Sequence, residues 1–73
     1  MADEIVYLSH QEIHDMRWKA NHRDQPGALY RGQRIVAYRD WMEGDVHSGA
    51  MWRGVCVLED GAWLDLIEKR DRE

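Results

Sequence analysis

The sequence predicts an α+β domain in the order β-α-β-β-β, with one helix packed on a mainly antiparallel sheet. Three observations carry that expectation. A capping signature at Ser9 opens an amphipathic stretch whose apolar stripe is narrow enough to call for a sheet beneath it rather than a second helix. From Arg34 onward the chain is rich in β-branched residues and Trp and is punctuated by Gly-containing turns. Finally, 73 residues make one unit, residues 1–73, with no room for a Rossmann pair, a TIM barrel or a second catalytic domain.

Glu4 to Leu8 places Ile, Val and Tyr together without a turn residue, so it reads as a short first strand. Ser9 then takes the N-cap, Glu12 the third helical position of a capping box, and Leu8 packs on Ile13 as a hydrophobic staple. Ile13, Met16 and Ala20 fall at i, i+3 and i+7 on the buried stripe. Glu12 and Asp15 come early in the helix and Arg17, Lys19, His22 and Arg23 late, which suits its dipole, and Asp15 to Lys19 is a favourable i, i+4 pair. Asn21 and then Pro26-Gly27 end it. Arg34 to Trp41 forms the next strand, followed by a loop marked by Gly44, Asp45, Ser48 and Gly49. Ala50 to Glu59 and Ala62 to Glu68 flank Asp60-Gly61, the pair favoured in a two-residue type I′ hairpin. That turn sets Leu58 opposite Trp63, Val57 opposite Leu64, Cys56 opposite Asp65, Val55 opposite Leu66 and Arg53 opposite Glu68. Val55, Val57, Leu64 and Leu66 then share the core face, and Trp52, Leu58 and Trp63 the other. No internal repeat, low-complexity tract or linker interrupts the chain, and residues 1–3 and 70–73 read as frayed ends.

The net charge of −4 conceals a division. Between residues 17 and 39, six cations face the single acid Asp24, a balance of +5 that leaves −9 on the remainder. Eight of the ten basic side chains are Arg, whose planar fork grips carboxylates and phosphates and stacks on rings. A single Cys allows neither an internal disulfide nor a paired-Cys zinc site, and no apolar run approaches eighteen residues. The expectation is a protein of a reducing cytoplasm, without signal peptide or membrane span.

The chemistry-bearing residues do not assemble into a catalytic set. His10 and His14 stand four apart, with His22 two turns on, but the order is H-Q-E-I-H rather than H-E-x-x-H, and Glu12 falls on another side of the helix. A polar border to the apolar stripe is the expectation, with no metal. Asp40, Glu43, Asp45 and His47 match no calcium-loop spacing. Cys56 has no activating His nearby, Ser9 is spent as a cap, Ser48 stands alone, and the glycines form no phosphate cradle. Neither an enzyme activity nor a cofactor is expected.

What remains is surface. Four Trp are more than one small two-layer core absorbs, and Trp together with Arg typifies binding hot spots. Arg17, Arg31, Arg34, Arg39, Trp41 and Trp52 are therefore the expected partner-binding residues. Arg31, Arg34 and Arg39 interleaved with Tyr30, Tyr38 and Trp41 also allow a nucleic-acid reading by stacking and phosphate contact, which the −9 elsewhere opposes. Trp-rich, Arg-biased and without a catalytic set, with Leu8-Ser9 ahead of Glu12-Ile13 and an Asp60-Gly61 hairpin, the chain resembles small phage proteins that redirect host enzymes. In length and character it is similar to Xanthomonas-phage proteins that bind host RNA polymerase. The resemblance implies a stoichiometric polymerase ligand that blocks initiation and suppresses termination. It assigns no individual contact residue. Inhibitors of another host enzyme or of a defence system share this size.

Overall fold

The computed structural model describes residues 2–45, 47 and 49–69. Met1 and residues 70–73, expected to fray, and Ser48 of the loop lie outside the described residues. The architecture is the expected α+β unit with one strand more: β1 (Glu4–Leu8), α1 (His10–Asn21), β2 (Leu29–Tyr30), β3 (Gln33–Glu43), β4 (Met51–Leu58) and β5 (Trp63–Glu68). The strands form one sheet in the order β1-β5-β4-β3-β2. Among the described residues only the β1–β5 pair is parallel. No helix among the described residues is long and apolar enough to cross a membrane.

The helix begins as its sequence dictates. The Ser9 N–H donates to Glu12 Oε1 at 2.8 Å and the Glu12 N–H to Ser9 Oγ at 3.2 Å, so two otherwise orphaned donors are satisfied reciprocally. Those bonds also hold the Glu12 carboxyl below the usual range, the Ser9 backbone N–H being the larger cause. Ile13, Met16 and Ala20 are buried against the sheet as their spacing requires. Asp3, expected at a frayed end, is instead held by Trp63: its N–H donates to the Trp63 carbonyl at 2.8 Å, and its carboxylate accepts the Trp63 N–H at 2.9 Å.

The β4–β5 hairpin departs from the expected turn. The Leu58 N–H donates to the Ala62 carbonyl at 3.0 Å and the Gly61 N–H to the Leu58 carbonyl at 2.9 Å, so Glu59, Asp60 and Gly61 make a three-residue loop. Gly61 sits at φ +90°, a conformation that strains other residues. The Asp60 carboxylate accepts the Ala62 N–H and steadies the loop. One added loop residue slips the register by one: Val57 faces Trp63, Cys56 faces Leu64, Val55 faces Asp65, Gly54 faces Leu66 and Arg53 faces Ile67. Because side chains alternate with period two, the whole of β4 turns over. Val55 and Val57 leave the expected core face, and Trp52, Gly54, Cys56 and Leu58 are buried in their place, while Leu64 and Leu66 of β5 stay inside.

Gly54 explains how a strand this short buries Trp52. A Cβ there would lie 3.0 Å from the Trp52 indole and 3.2 Å from the Arg39 carbonyl oxygen, so the missing side chain is what lets the ring lie down on its own strand. The expected Arg53–Glu68 pair is absent for the same register reason. Glu68 accepts the Trp52 N–H at 3.0 Å and lies 3.3 Å from His10 Nε2, whereas Arg53 pairs with Glu43 at 2.7 Å.

The two-residue turn with positive φ at both central positions lies elsewhere, between β2 and β3. Arg31 stands at φ +55° and Gly32 at +76°. A left-handed Arg costs on the order of 1–2 kcal/mol. Its guanidinium meets Glu4 on β1 through two bonds of 2.8 Å. Since β1 and β2 are opposite edges of the sheet, this contact requires the sheet to curl until its edges approach. The curl wraps a core of Leu8, Ile13, Met16, Ile35, Trp52, Cys56, Leu58, Leu64 and Leu66.

Candidate functional site

A five-stranded sheet with one helix covers one face. The other face is built by the residues that alternate with the core, and the registers place them in rows across the strands. Ala37, Val57 and Trp63 form one row. Arg39, Val55, Asp65 and Ile5 form the next. Trp41, Arg53, Ile67 and Tyr7 form the third. Ile5 is 53% exposed and Tyr7 60%, and Trp41 and Trp63 are exposed as well. Val55, Val57 and Ile67 between them are half-buried. Large side chains in such numbers on one uncovered face are unusual for a surface that meets only water.

Charge is dispersed within this face. The Arg39 guanidinium lies 6.0 Å from the Trp41 ring centroid, where the ring's electron-rich face stabilises the cation. Arg53 lies between Trp41 and Ile67, its Nη1 on Glu43, while its Nε is buried with no hydrogen-bond partner among the described residues.

The bulge in β3 decides which of its residues reach this face. Ile35 pairs with Leu58 but Ala37 with Val57, so Val36 is an extra residue and the inside–outside alternation inverts there. Before the bulge Ile35 points inward. After it Tyr38 and Asp40, opposite Cys56 and Gly54, share the core face, and Arg39 and Trp41 turn outward. Tyr38 donates its hydroxyl to the Asp40 carboxylate at 2.8 Å, and burial, more than that carboxylate, pushes its hydroxyl pKa well up.

The residues expected to bind a partner therefore separate. Arg39 and Trp41 stand together on the outer face. Arg17 lies on α1 with its Nε 3.4 Å from Asp40, and Arg31 is committed to Glu4. Arg34, exposed at the start of β3, lines a shallow cleft with Arg23, Asp24, Ile35 and Val36. Trp52 is only 7% exposed and belongs to the core, which removes it from any contact surface. Trp63 stands on the outer face, where the sequence reading puts it, and Ile5, Tyr7 and Ile67 join it there without being among the expected partner-binding residues. The available signal is alternation, of Ile5 and Tyr7 with Val6 and Leu8 and of Ile67 with Leu64 and Leu66.

Other chemistry stays dispersed. Among the described residues no three His, Cys, Asp or Glu side chains converge in a way that would hold a metal ion. Cys56, expected on the face away from the core, is fully buried, and burial pushes its thiol up to about 11, leaving little thiolate at neutral pH. His10 and His14 flank a groove between α1 and the sheet with Ile13, Arg17, Met42 and Trp52. No protein family, curated protein or solved structure matches the chain.

Proposed function

We propose that this chain is a non-enzymatic, phage-type ligand of bacterial host RNA polymerase, which inhibits transcription initiation and suppresses termination in the host cytoplasm. The observation that carries the docking reading is the uncovered sheet face, where Ile5, Tyr7, Trp41 and Trp63 are exposed and Arg39 lies over Trp41. Rigid aromatics on a sheet offer large contact area with little conformational entropy to lose, and a guanidinium at their margin supplies steering and register. The polymerase itself is proposed from the likeness of the whole chain to small phage proteins of that kind.

Nucleic acid fits this surface less well. Of the cations in residues 17–39, Arg17, Lys19 and Arg31 are each paired with a carboxylate. Tyr30 already has Arg31 at 5.5 Å and Lys19 at 5.7 Å from its ring centroid, and Tyr38 is half-buried on Asp40, so neither offers a free stacking face. A docked polyanion would also meet Asp65 among the apolar residues of the outer face.

The test is gel filtration of the purified protein with bacterial RNA polymerase, alongside promoter-dependent transcription. Co-elution with stoichiometric inhibition is expected. Trp41→Ala with Trp63→Ala is expected to speed dissociation, and Arg39→Glu to slow association and flatten its salt dependence. Micromolar or tighter binding of the free protein to RNA or single-stranded DNA at physiological salt, without polymerase binding, replaces this reading with the nucleic-acid one.

A further inference from the structure

The strand that carries Arg39 and Trp41 has an open edge. β3 runs from Gln33 to Glu43, yet β2 pairs with only its first two residues, Gln33 and Arg34. From Ile35 to Glu43 no strand among the described residues lies on that side. The direction of the ladder fixes which groups point outward. Leu58 N–H and Trp52 N–H both go to the β5 side, to the Ala62 carbonyl and the Glu68 carboxylate, so even-numbered residues of β4 direct their backbone groups to β5 and odd-numbered ones to β3. Ala37, Arg39 and Trp41, opposite Val57, Val55 and Arg53, take those bonds. The N–H and C=O groups of Tyr38, Asp40 and Met42 therefore face away from the sheet, with no partner among the described residues.

We infer that an extended segment of the partner docks on this edge as a sixth strand, an inference that rests on the polymerase reading and specifies how the contact is made. A donor-and-acceptor row of this kind recruits a strand through the main chain, while flanking side chains select it. An acidic residue beside Arg39 and an apolar residue beside Trp41 fit what the outward side chains of β3 present, Met42 contributing its main chain. A second copy of the chain fits poorly. A twofold antiparallel pairing centred on the open stretch sets Arg39 against Arg39 or Asp40 against Asp40, and like charges directly opposite are destabilising.

Proline separates main-chain from side-chain recognition, because the N–H it removes at position 42 is one that the sheet does not use, and Met42→Ala controls for the lost side chain. Met42→Pro is expected to weaken polymerase binding at least about tenfold, the scale of one lost hydrogen bond, while Met42→Ala stays within about threefold of the parent. In amide hydrogen exchange of the parent chain, Tyr38, Asp40 and Met42 are expected to exchange rapidly when free and to slow at least about tenfold in the complex. Should Met42→Pro fail to fold, this second measurement decides. A complex that forms without new protection at these three amides, or in which Met42→Pro binds as Met42→Ala does, overturns the edge and leaves the polymerase reading standing. Failure of the parent chain to bind polymerase overturns both. Protection that rises with protein concentration, with sedimentation as a dimer, assigns the edge to a second copy instead.

Discussion

The two faces of the sheet are made from nearly the same residue types, and only one of them is covered. Leu8, Ile35, Trp52, Cys56, Leu58, Leu64 and Leu66 lie inside beneath α1, while Ile5, Tyr7, Trp41, Val55, Val57, Trp63 and Ile67 lie outside. Each face holds Trp and branched aliphatics, so composition does not tell core from surface. What separates them is the placement of exceptions. The inner face has a glycine, Gly54, in the space its own Trp52 occupies, and its charged residues are at the margin, with Asp40 bridged to Arg17 and Glu68 to His10. The outer face sets Arg39, Arg53 and Asp65 among its apolar residues, which keeps an uncovered surface from closing on itself.

If that contrast is right, mutations on the two faces part stability from binding. The largest effect belongs inside. Leu66→Ala removes a fully buried side chain, and denaturant unfolding should show a loss of about 2–5 kcal/mol, a large share of the stability of so small a domain. Gly54→Ala follows at about 1–3 kcal/mol, since the added methyl meets the Trp52 indole and a backbone oxygen that cannot yield without moving β3. A neutral Gly54→Ala would mean that the Trp52 ring is not held over its strand. Outside, Ile5→Ser and Tyr7→Ser should each change stability by no more than about 0.5 kcal/mol. Together they should weaken the proposed polymerase binding more than tenfold. Outer-face serines that unfold the protein, or leave binding untouched, would erase the distinction between the faces.

The helix was readable because every instruction for it is local. Ser9, Glu12, Leu8 and Ile13 lie within six positions and agree with one another. The sheet was readable only in outline, because its faces depend on counts that local residues leave open. Asp60-Gly61 suits a two-residue turn, but the chain spends Glu59 as well, and Gln33 fixes the longer loop from across the sheet by bonding both the Asp60 N–H and its carboxylate. Nothing near residue 60 announces that clamp. Conversely, Arg31-Gly32 carries a two-residue turn that the Arg disguised, since its left-handed backbone becomes tolerable alongside an ion pair to Glu4, twenty-seven residues away. The candidate surface shared this fate. Arg39 and Trp41 are legible as exposed types on one strand, whereas a two-residue turn puts Trp52 outward and the third loop residue turns it into the core.

The smallest effect concerns the seam where the curled edges meet. The bidentate contact with Arg31 holds the Glu4 carboxyl below its usual value, with the hydrogen bond as the larger cause. A carboxyl whose pKa is lower in the folded than in the unfolded chain stabilises the fold above the unfolded value, about 4.3, and loses that contribution as pH falls through the folded value. Glu12, lowered by the Ser9 N–H, adds to the same acid limb. The melting temperature of the parent chain should therefore hold near neutrality and fall below about pH 4.3. Glu4→Gln should lower it slightly at pH 7 and make the acid limb shallower, the residual slope including the Glu12 contribution. Both Glu4 and Arg31 are about half exposed, so water and salt screen the pair, and the difference should shrink further in high salt. Superimposable acid limbs for the two proteins would mean that the ion pair decorates the seam without holding it, leaving closure of the sheet to the buried side chains and the helix alone.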